Sequence, residues 1–132
     1  MPKPRPHVTD AELAVLELLW ELGRATIREL TDRLYEEGST SEYATVQKLL
    51  ERLEGKGLVG RSRSKVPHVF KARVSREKLI DSRLRDVADA LCGGSMAPLL
   101  TQLVSAGKFD SEDVRQLRDL VRQLDGRKEG SS

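Results

Sequence analysis

The feature that most constrains the fold is a change of periodicity at Gly57. Before this glycine, apolar residues recur at every third or fourth position in three segments, the spacing of one face of an α-helix. After it come two short β-like runs, 58–63 and 68–73, joined by a hairpin turn at 64–67. Helical periodicity then returns from Ser75 onwards. The order therefore predicts three helices, a hairpin and a further helical region.

Two capping boxes mark where the first two helices begin. Thr9 and Thr26 are each followed three residues later by a glutamate, so the two residues can satisfy each other's backbone N–H groups. We predict a first helix over about 10–22 and a second that stops at Gly38. The first helix is apolar over a wide arc, which indicates a core helix with Trp20 in the core.

A third helix is predicted from about Glu42 to Lys56. The small hydroxyl residues of the preceding turn, 38–41, can cap it, and Gly57 can end it. Its core-facing residues are Val46, Leu49, Leu50 and Leu53. The order of helix, helix, turn, helix and hairpin is the layout of a winged helix-turn-helix, in which the hairpin is called the wing. The predicted fold class is mainly α, an α+β winged helix followed by three C-terminal helices.

The second half of the chain is predicted to be helical throughout. Ser75 caps a long helix to about Cys92, a short helix covers 95–105, and a last helix begins at Asp110 or Ser111. The predicted divisions are a flexible basic arm over 1–8, a winged helix-turn-helix domain over 9–74, a helical dimerisation domain over 75–125 and a disordered tail over 126–132.

The C-terminal helices have narrow apolar stripes and charged opposite faces. Alone they could not bury enough apolar surface to offset the entropy lost on ordering, so they need a partner. A second copy of the chain is the economical choice, and folding back onto the N-terminal domain is the alternative. The predicted dimer interface comprises Leu84, Val87, Leu91, Met96, Leu99, Leu100, Leu103, Val114, Leu117, Val121 and Leu124.

The net charge of only +2 conceals a basic block between residues 41 and 78. Ten cations and four anions lie there, whereas the flanking regions carry most of the acidic residues. A two-stranded wing that presents cations is suited to DNA phosphates, whose neutralisation releases counterions. A solvated charged face is the alternative. The predicted backbone contacts are Ser41, Tyr43, Arg52, Arg61, Arg63 and Lys65.

Base recognition requires side chains that project from the third helix into the major groove. The residues opposite its core face are Ala44, Thr45, Gln47 and Lys48. Gln47 can bond adenine at two positions, Lys48 can reach guanine or a phosphate, and the methyl groups of Ala44 and Thr45 can contact thymine. We predict that these four residues read the DNA sequence.

No arrangement of residues indicates an enzyme. His7 and His68 are isolated, no metal-spaced set is present, and no glycine-rich phosphate loop occurs, so neither catalysis nor a cofactor is expected. Cys92 is the single cysteine, which excludes an intramolecular disulfide and suits the cytoplasm. It could sense oxidation across a dimer axis or simply serve as a small apolar residue. No apolar run is long enough to predict a membrane span.

Three segments, 9–20, 43–53 and 56–61, together resemble the penicillinase-repressor family of winged-helix transcriptional regulators. The resemblance extends from about Thr9 to Leu124. It implies a dimeric repressor that places the third helix of each copy in one half of an inverted-repeat operator in double-stranded DNA. It also implies that the four predicted base-reading residues are base-facing and that His68, on the wing beside the predicted cations, contacts the DNA backbone.

The resemblance also implies routes of regulation. Members that respond to β-lactams are inactivated by proteolysis of an Asn-Phe bond in the dimerisation region, which implies a membrane-bound sensor metallopeptidase as a partner. The spacing between Met96 and Leu117 aligns that bond with Gln102-Leu103, where the residue types differ. Copper-responsive members carry a C-terminal cysteine cluster, whereas residues 125–132 contain neither cysteine nor histidine.

Two alternatives to a DNA-binding repressor stay open at this stage. A ligand-sensing winged-helix regulator would require a pocket lined with aromatic or unpaired polar groups, and only 4% of the residues are aromatic. A winged-helix protein-interaction module would function without DNA, so neutralising Arg61 and Arg63 would leave its function intact.

Overall fold

The computed structural model describes residues 7–64 and 66–130, with side chains described as far as Arg127. The elements are α1 (Asp10–Leu22), α2 (Ile27–Leu34), α3 (Thr40–Gly55), β1 (Val59–Ser62), β2 (Val69–Ala72), α4 (Arg76–Leu91), α5 (Ala97–Ala106) and α6 (Ser111–Gly130). The predicted fold, mainly helical with a small antiparallel hairpin after the N-terminal helices, is confirmed. The chain divides into two compact units between Val87 and Ala88, within α4, whereas the sequence places the division at 74/75.

Capping boxes open each of the first three helices. The hydroxyl oxygens of Thr9 and Thr26 accept hydrogen bonds from the backbone N–H three residues on, at 3.2 and 3.1 Å. Both boxes are as the sequence predicts. A third box joins Ser39 to Glu42, so α3 begins two residues before the predicted start. Ser39 is the cap because its backbone is extended while Thr40 is already helical.

α2 ends at Leu34, four residues before the predicted stop at Gly38. The backbone of Tyr35 is extended, with φ −132° and ψ 134°, which directs the chain out of the helix. The Tyr35 side chain packs against the core. Packing of this ring is a tertiary effect that outweighs the helical propensity of the glutamates that follow.

One core holds the N-terminal unit together. Helices α1, α2 and α3 and both strands contribute fully buried residues, namely Val15, Leu16, Leu19, Leu30, Val46, Leu50, Leu53, Val59 and Phe70. Val8 is 1% exposed and belongs to this core. The predicted flexible arm is therefore wrong at its last residue, because the apolar Val8 side chain is buried ahead of the α1 cap. Residues 1–6 of that arm lie outside the described residues.

The hairpin is anchored to the helices along β2. β1 and β2 pair antiparallel with Arg61 opposite Phe70. Ala25, in the link between α1 and α2, exchanges two backbone hydrogen bonds with Phe70, at 3.0 and 2.8 Å. The indole N–H of Trp20 donates to the Val74 carbonyl at 2.8 Å, and the ring packs against the core as predicted. These bonds fix the position of the wing relative to α1.

The C-terminal unit exposes most of its apolar side chains. None of the residues of α5 is buried, and Leu91 and Leu124 are 80% and 63% exposed. The caps follow the sequence in α6, where Asp110 accepts the Asp113 N–H at 2.8 Å. In the described part of the chain, no helix combines the length and apolar character required to cross a bilayer.

Residues 126–130, which the sequence assigns to a disordered tail, continue α6 to Gly130 in the structure. Arg127, Lys128 and Glu129 favour helix, and extending an existing helix costs much less than starting one. A single interior glycine at 126 therefore does not end the helix. Residues 131 and 132 lie outside the described residues.

Candidate nucleic-acid interface

The exposed face of α3 carries all four predicted base-reading residues. Ala44, Thr45, Gln47 and Lys48 are exposed, whereas Val46 between them is fully buried. The buried face is completed by Leu49, Leu50 and Leu53. The helical spacing thus predicts the two faces of α3 correctly. The Thr45 hydroxyl donates to the Ser41 carbonyl at 3.0 Å, which leaves its methyl group as the outward apolar group.

The start of α3 is held by the neighbouring helix. The Arg28 guanidinium donates to the Gly38 carbonyl at 3.2 Å and pairs with Asp32 at 3.3 Å. Gly38 has φ +56°, a left-handed conformation that favours glycine, and a Cβ there would lie 2.9 Å from a carboxylate oxygen of Asp32. This turn fixes α3 against α2. Arginine at 28 gives no local signal in the sequence, since its acceptor lies ten residues away.

One cation of the basic block has a structural role. The Lys56 ammonium lies 2.7 and 2.8 Å from the two carboxylate oxygens of Glu12 and also donates to the His7 carbonyl. Glu12 is 1% exposed, and its burial acts to raise the pKa of the carboxyl. Hydrogen bonds from Lys56 and Thr9 outweigh burial, so the pKa lies below its ordinary value. The pair ties the C-terminal end of α3 to the first turn of α1.

Arg61 is also held within the fold. Its Nε and Nη2 each lie 2.9 Å from an oxygen of the Glu54 carboxylate, and its guanidinium lies 4.8 Å from the centre of the Phe70 ring. The hydrogen bonds from Arg61 are the main reason that the pKa of Glu54 is lowered. The Arg61 side chain is only 17% exposed. Arg61, which the sequence predicts to contact the DNA backbone, therefore lies on the core side of the hairpin, opposite Phe70.

The other predicted backbone contacts are distributed around α3 and the wing. Ser41, Arg52 and Arg63 are exposed, and Tyr43 and His68 are half-buried. His68 Nδ1 lies 3.4 Å from Arg61 Nη1. Lys65 lies outside the described residues. Within the described chain, Lys48, Arg52 and Arg63 have no hydrogen-bonded carboxylate partner. These three cations therefore remain available to a polyanion.

The residues predicted at the dimer interface are largely exposed on the single chain. In the N-terminal unit, Leu84 and Val87 are 37% and 40% exposed. In the C-terminal unit, the exposed residues are Leu91, Met96, Leu100, Leu103, Val114, Leu117, Val121 and Leu124, and Leu99 is half-buried. The predicted cleavage bond, Gln102-Leu103, lies inside α5, and both of its residues are exposed. Cys92 is half-buried.

Comparisons with known proteins agree with this geometry. The sequence model of the family described as "Penicillinase repressor" matches residues 8–123. The penicillinase repressor of Bacillus licheniformis is 21% identical over 126 residues, which are 96% of this chain and 98% of that protein. A protein of Latilactobacillus sakei, described as an uncharacterized 16.5 kDa protein in the ptsI 3′ region, is 24% identical over 115 residues, 87% of this chain and 78% of its own length. The chain belongs to the penicillinase repressor family, which supports a role as a transcriptional repressor.

Proposed function

We propose that the chain is a dimeric, sequence-specific DNA-binding repressor of an inverted-repeat operator. The observation that carries the proposal is the exposed face of α3, where Gln47 and Lys48 point away from a fully buried apolar face. The capping box and the Arg28–Gly38 hydrogen bond hold this helix in one orientation. A helix that presents polar side chains from a fixed position can enter a major groove without reorganisation.

The roles of the exposed side chains follow from their chemistry. The Gln47 amide can donate to and accept from one adenine, and Lys48 can donate to guanine or a phosphate. Arg52, on this helix, and Arg63, directly after β1, supply cations to the DNA backbone, and Ser41 and Tyr43 supply hydroxyl donors near the N-terminus of α3. The half-buried His68 and the enclosed Arg61 support the wing, so a role for either in phosphate binding would be secondary.

Dimerisation is proposed for the exposed apolar faces of the C-terminal helices. Leu100, Leu103 and Val104 on α5 are more than half exposed, and so are Val121 and Leu124 on α6. A twofold dimer would bury such faces against each other. It would also join two α3 helices, so that binding to one half-site raises the effective concentration at the second.

Relief of repression through proteolysis is proposed for α5. Gln102-Leu103 lies on α5, which has no buried residue in the single chain, so the local unfolding that a protease requires costs little there once the two copies separate. A membrane-bound sensor metallopeptidase is the partner that this route requires. Cleavage would remove α6 from the dimer and lower operator affinity. The repressor would act in the cytoplasm, where DNA and this partner's inner face are accessible.

The proposal is tested by selecting bound duplexes from a random pool and then comparing Gln47→Ala with Gln123→Ala. Gln123 is an exposed glutamine on α6, so its replacement is the matched control. We expect Gln47→Ala to lose about 1–3 kcal/mol of discrimination at one base pair in each half-site. Failure of the wild-type chain to enrich any duplex, or equal losses in both variants, would contradict the proposal.

The ligand-sensing alternative is favoured by one groove of the N-terminal unit. A groove of about 570 Å³ lies between α1 and the first turns of α4, with Trp20, Leu79 and Ile80 among its lining residues. The Trp20 N–H already donates to Val74, and Arg76 covers the indole ring at 4.8 Å. Ile80→Gln would distinguish a ligand-sensing regulator from a repressor without a ligand, since only the repressor without a ligand should keep its operator affinity unchanged.

The interaction-module alternative makes a different prediction, namely that Arg63→Gln leaves the function of the protein unchanged.

A further inference from the structure

A second cationic site lies on the side of the wing that faces away from the core. The cleft there has a volume of about 580 Å³. Gly60 pairs with Lys71 and Ser62 with Val69, and side chains alternate between the faces of a strand, so all four belong to the face opposite Arg61 and Phe70. All four line the cleft, together with Arg24 from the α1–α2 link and Arg73 from the residues after β2, and Arg61 also borders it. Arg24, Lys71 and Arg73 are not among the predicted DNA contacts.

The three cations of this cleft are exposed to solvent. Arg24, Lys71 and Arg73 are exposed, and none of them has a hydrogen-bonded carboxylate partner in the described part of the chain. Glu29 is a carboxylate beside them, but its Oε1 accepts the Thr26 N–H at 3.1 Å in the α2 capping box. The three cations outnumber the one Glu29 carboxylate, so the concave surface has an excess of positive charge that attracts anions.

Gly60 provides the space in which Arg73 lies. A Cβ on Gly60 would be 2.3 Å from Arg73 Nε and 2.8 Å from the guanidinium carbon, so any side chain there would displace the guanidinium. The Arg73 backbone is fixed by its N–H, which donates to the Leu58 carbonyl at 2.8 Å. The Arg73 guanidinium therefore lies over Gly60 on the strand. A guanidinium matches the geometry of phosphate oxygens, because it can donate two parallel N–H bonds to them.

We propose that this cleft binds a phosphate group through Arg24, Lys71 and Arg73. The group could belong to the DNA backbone beside the operator half-site, in which case the inference rests on the proposed function. It could instead belong to a free phosphorylated small molecule, which would make the cleft an effector site. Both sources present the same oxyanion, and the tests below separate them.

The first experiment uses the full chain without DNA. Sodium pyrophosphate is titrated into ¹⁵N-labelled protein, and amide chemical shifts are followed at Ala25, Gly60, Ser62 and Lys71. We expect saturable shifts at these amides in the wild type and at least about 10-fold weaker binding when Lys71→Gln and Arg73→Gln are combined. The matched control combines Lys78→Gln with Lys108→Gln, which removes the same charge from exposed positions outside the cleft.

A variant that keeps every charge tests whether the position of the Arg73 guanidinium over Gly60 matters for binding. Gly60→Ala should displace the guanidinium and weaken pyrophosphate binding in the same direction as the double variant. The free energy of unfolding of this variant is measured in parallel. Its pyrophosphate affinity is compared with that of the wild type only under conditions in which both proteins are folded. If a folded Gly60→Ala binds pyrophosphate as the wild type does, the assigned role of Arg73 is overturned.

The second experiment measures operator affinity against salt for the same double variants on a duplex selected from a random pool. Loss of two phosphate contacts should lower the slope of log K against log salt by about 2 per protomer in the cleft variant. A reduced slope together with no pyrophosphate binding identifies the DNA backbone as the source. Pyrophosphate binding with an unchanged slope identifies a free phosphorylated ligand. No pyrophosphate binding and an unchanged slope would overturn the proposal.

The two proposals fail separately in these experiments. A wild-type chain that binds no duplex contradicts the proposed function, and the pyrophosphate titration then still decides whether the cleft takes a phosphate group. A wild-type chain that binds its duplex while the cleft variant behaves like its control contradicts the cleft alone.

Discussion

At the scale of single residues, the ion pair between Glu12 and Lys56 makes the stability of the fold depend on pH. The carboxylate is 1% exposed, and its nitrogen partner lies 2.7 Å away. The pKa of Glu12 is lower in the folded chain than its ordinary value. The unfolded chain therefore takes up the proton first as pH falls, and the stabilisation that is complete at neutral pH is lost through the acid range.

We expect the free energy of unfolding of the wild type to fall more steeply than that of Glu12→Gln from about pH 5 to about pH 3. Urea unfolding at several pH values measures the difference between the two proteins. Glu54 and Glu112 also have lowered pKa values and contribute to the pH dependence of both proteins. The difference between the wild type and Glu12→Gln therefore gives the contribution of Glu12 alone. Glu51→Gln, on the exposed side of α3, is the control. Parallel pH profiles for wild type and Glu12→Gln would show that the pair contributes nothing.

The same pair shows which residue roles a sequence can reveal. The capping role of Glu12 is predictable, because its partner Thr9 is three residues away and the pattern is local. The partnership with Lys56 spans 44 residues and depends on how α1 and α3 pack. For this reason the sequence assigns Lys56 to the basic block, whereas the structure places it in an ion pair with the buried Glu12.

At the scale of elements, an ion pair links the wing to the last turns of α3. Glu54, near the end of α3, accepts two hydrogen bonds from Arg61 on β1, and Phe70 on β2 lies under the same guanidinium. Arg63, two residues further along the chain, is exposed and has no such bonds. Two neighbouring arginines therefore have different roles, one in fixing the wing and one available to DNA.

Arg61→Gln and Arg63→Gln should separate these roles. We expect Arg61→Gln to lower the free energy of unfolding by about 1–2 kcal/mol, because two charge-assisted hydrogen bonds in a partly exposed pair are lost. Arg63→Gln should leave stability unchanged and lower the salt slope of DNA binding by about 1 per protomer. Urea unfolding and a salt series of binding titrations give the two readouts. An Arg61→Gln protein that keeps its stability but loses salt slope would reverse the assignment.

Element boundaries and faces are predictable where the signal is local. The buried side of α3 follows from its helical spacing, and the starts of α1 and α2 follow from their capping boxes. The end of α2 does not, because the Tyr35 ring packs on a core that no local pattern describes. The inward direction of Arg61 does not follow from a local pattern either. An arginine on a strand is expected on the solvent-exposed face unless its cross-strand partner is known.

At the scale of the whole molecule, function is proposed to depend on joining two copies. α6 carries an apolar stripe with Val114, Leu117, Val121 and Leu124 at 41%, 36%, 55% and 63% exposure. Gln123 lies on the opposite side of the same helix, because two residues correspond to about 200° of rotation from Val121. A glutamate at either position adds the same charge to the chain. Only the one at Val121 would be buried against a second copy.

Val121→Glu should therefore dissociate the dimer, and Gln123→Glu should not. Losing the burial of one valine in each of two copies costs about 3 kcal/mol or more, so the dimer dissociation constant should rise at least about 100-fold. Sedimentation equilibrium measures this change. On an inverted repeat, Val121→Glu should lose affinity because the second half-site no longer benefits from a raised effective concentration. On a duplex with a single half-site it should bind like the wild type, because its α3 is unaltered. A loss of equal size on both duplexes would mean that the C-terminal helices act on α3 itself, and a dimer that survives the substitution would place the interface elsewhere.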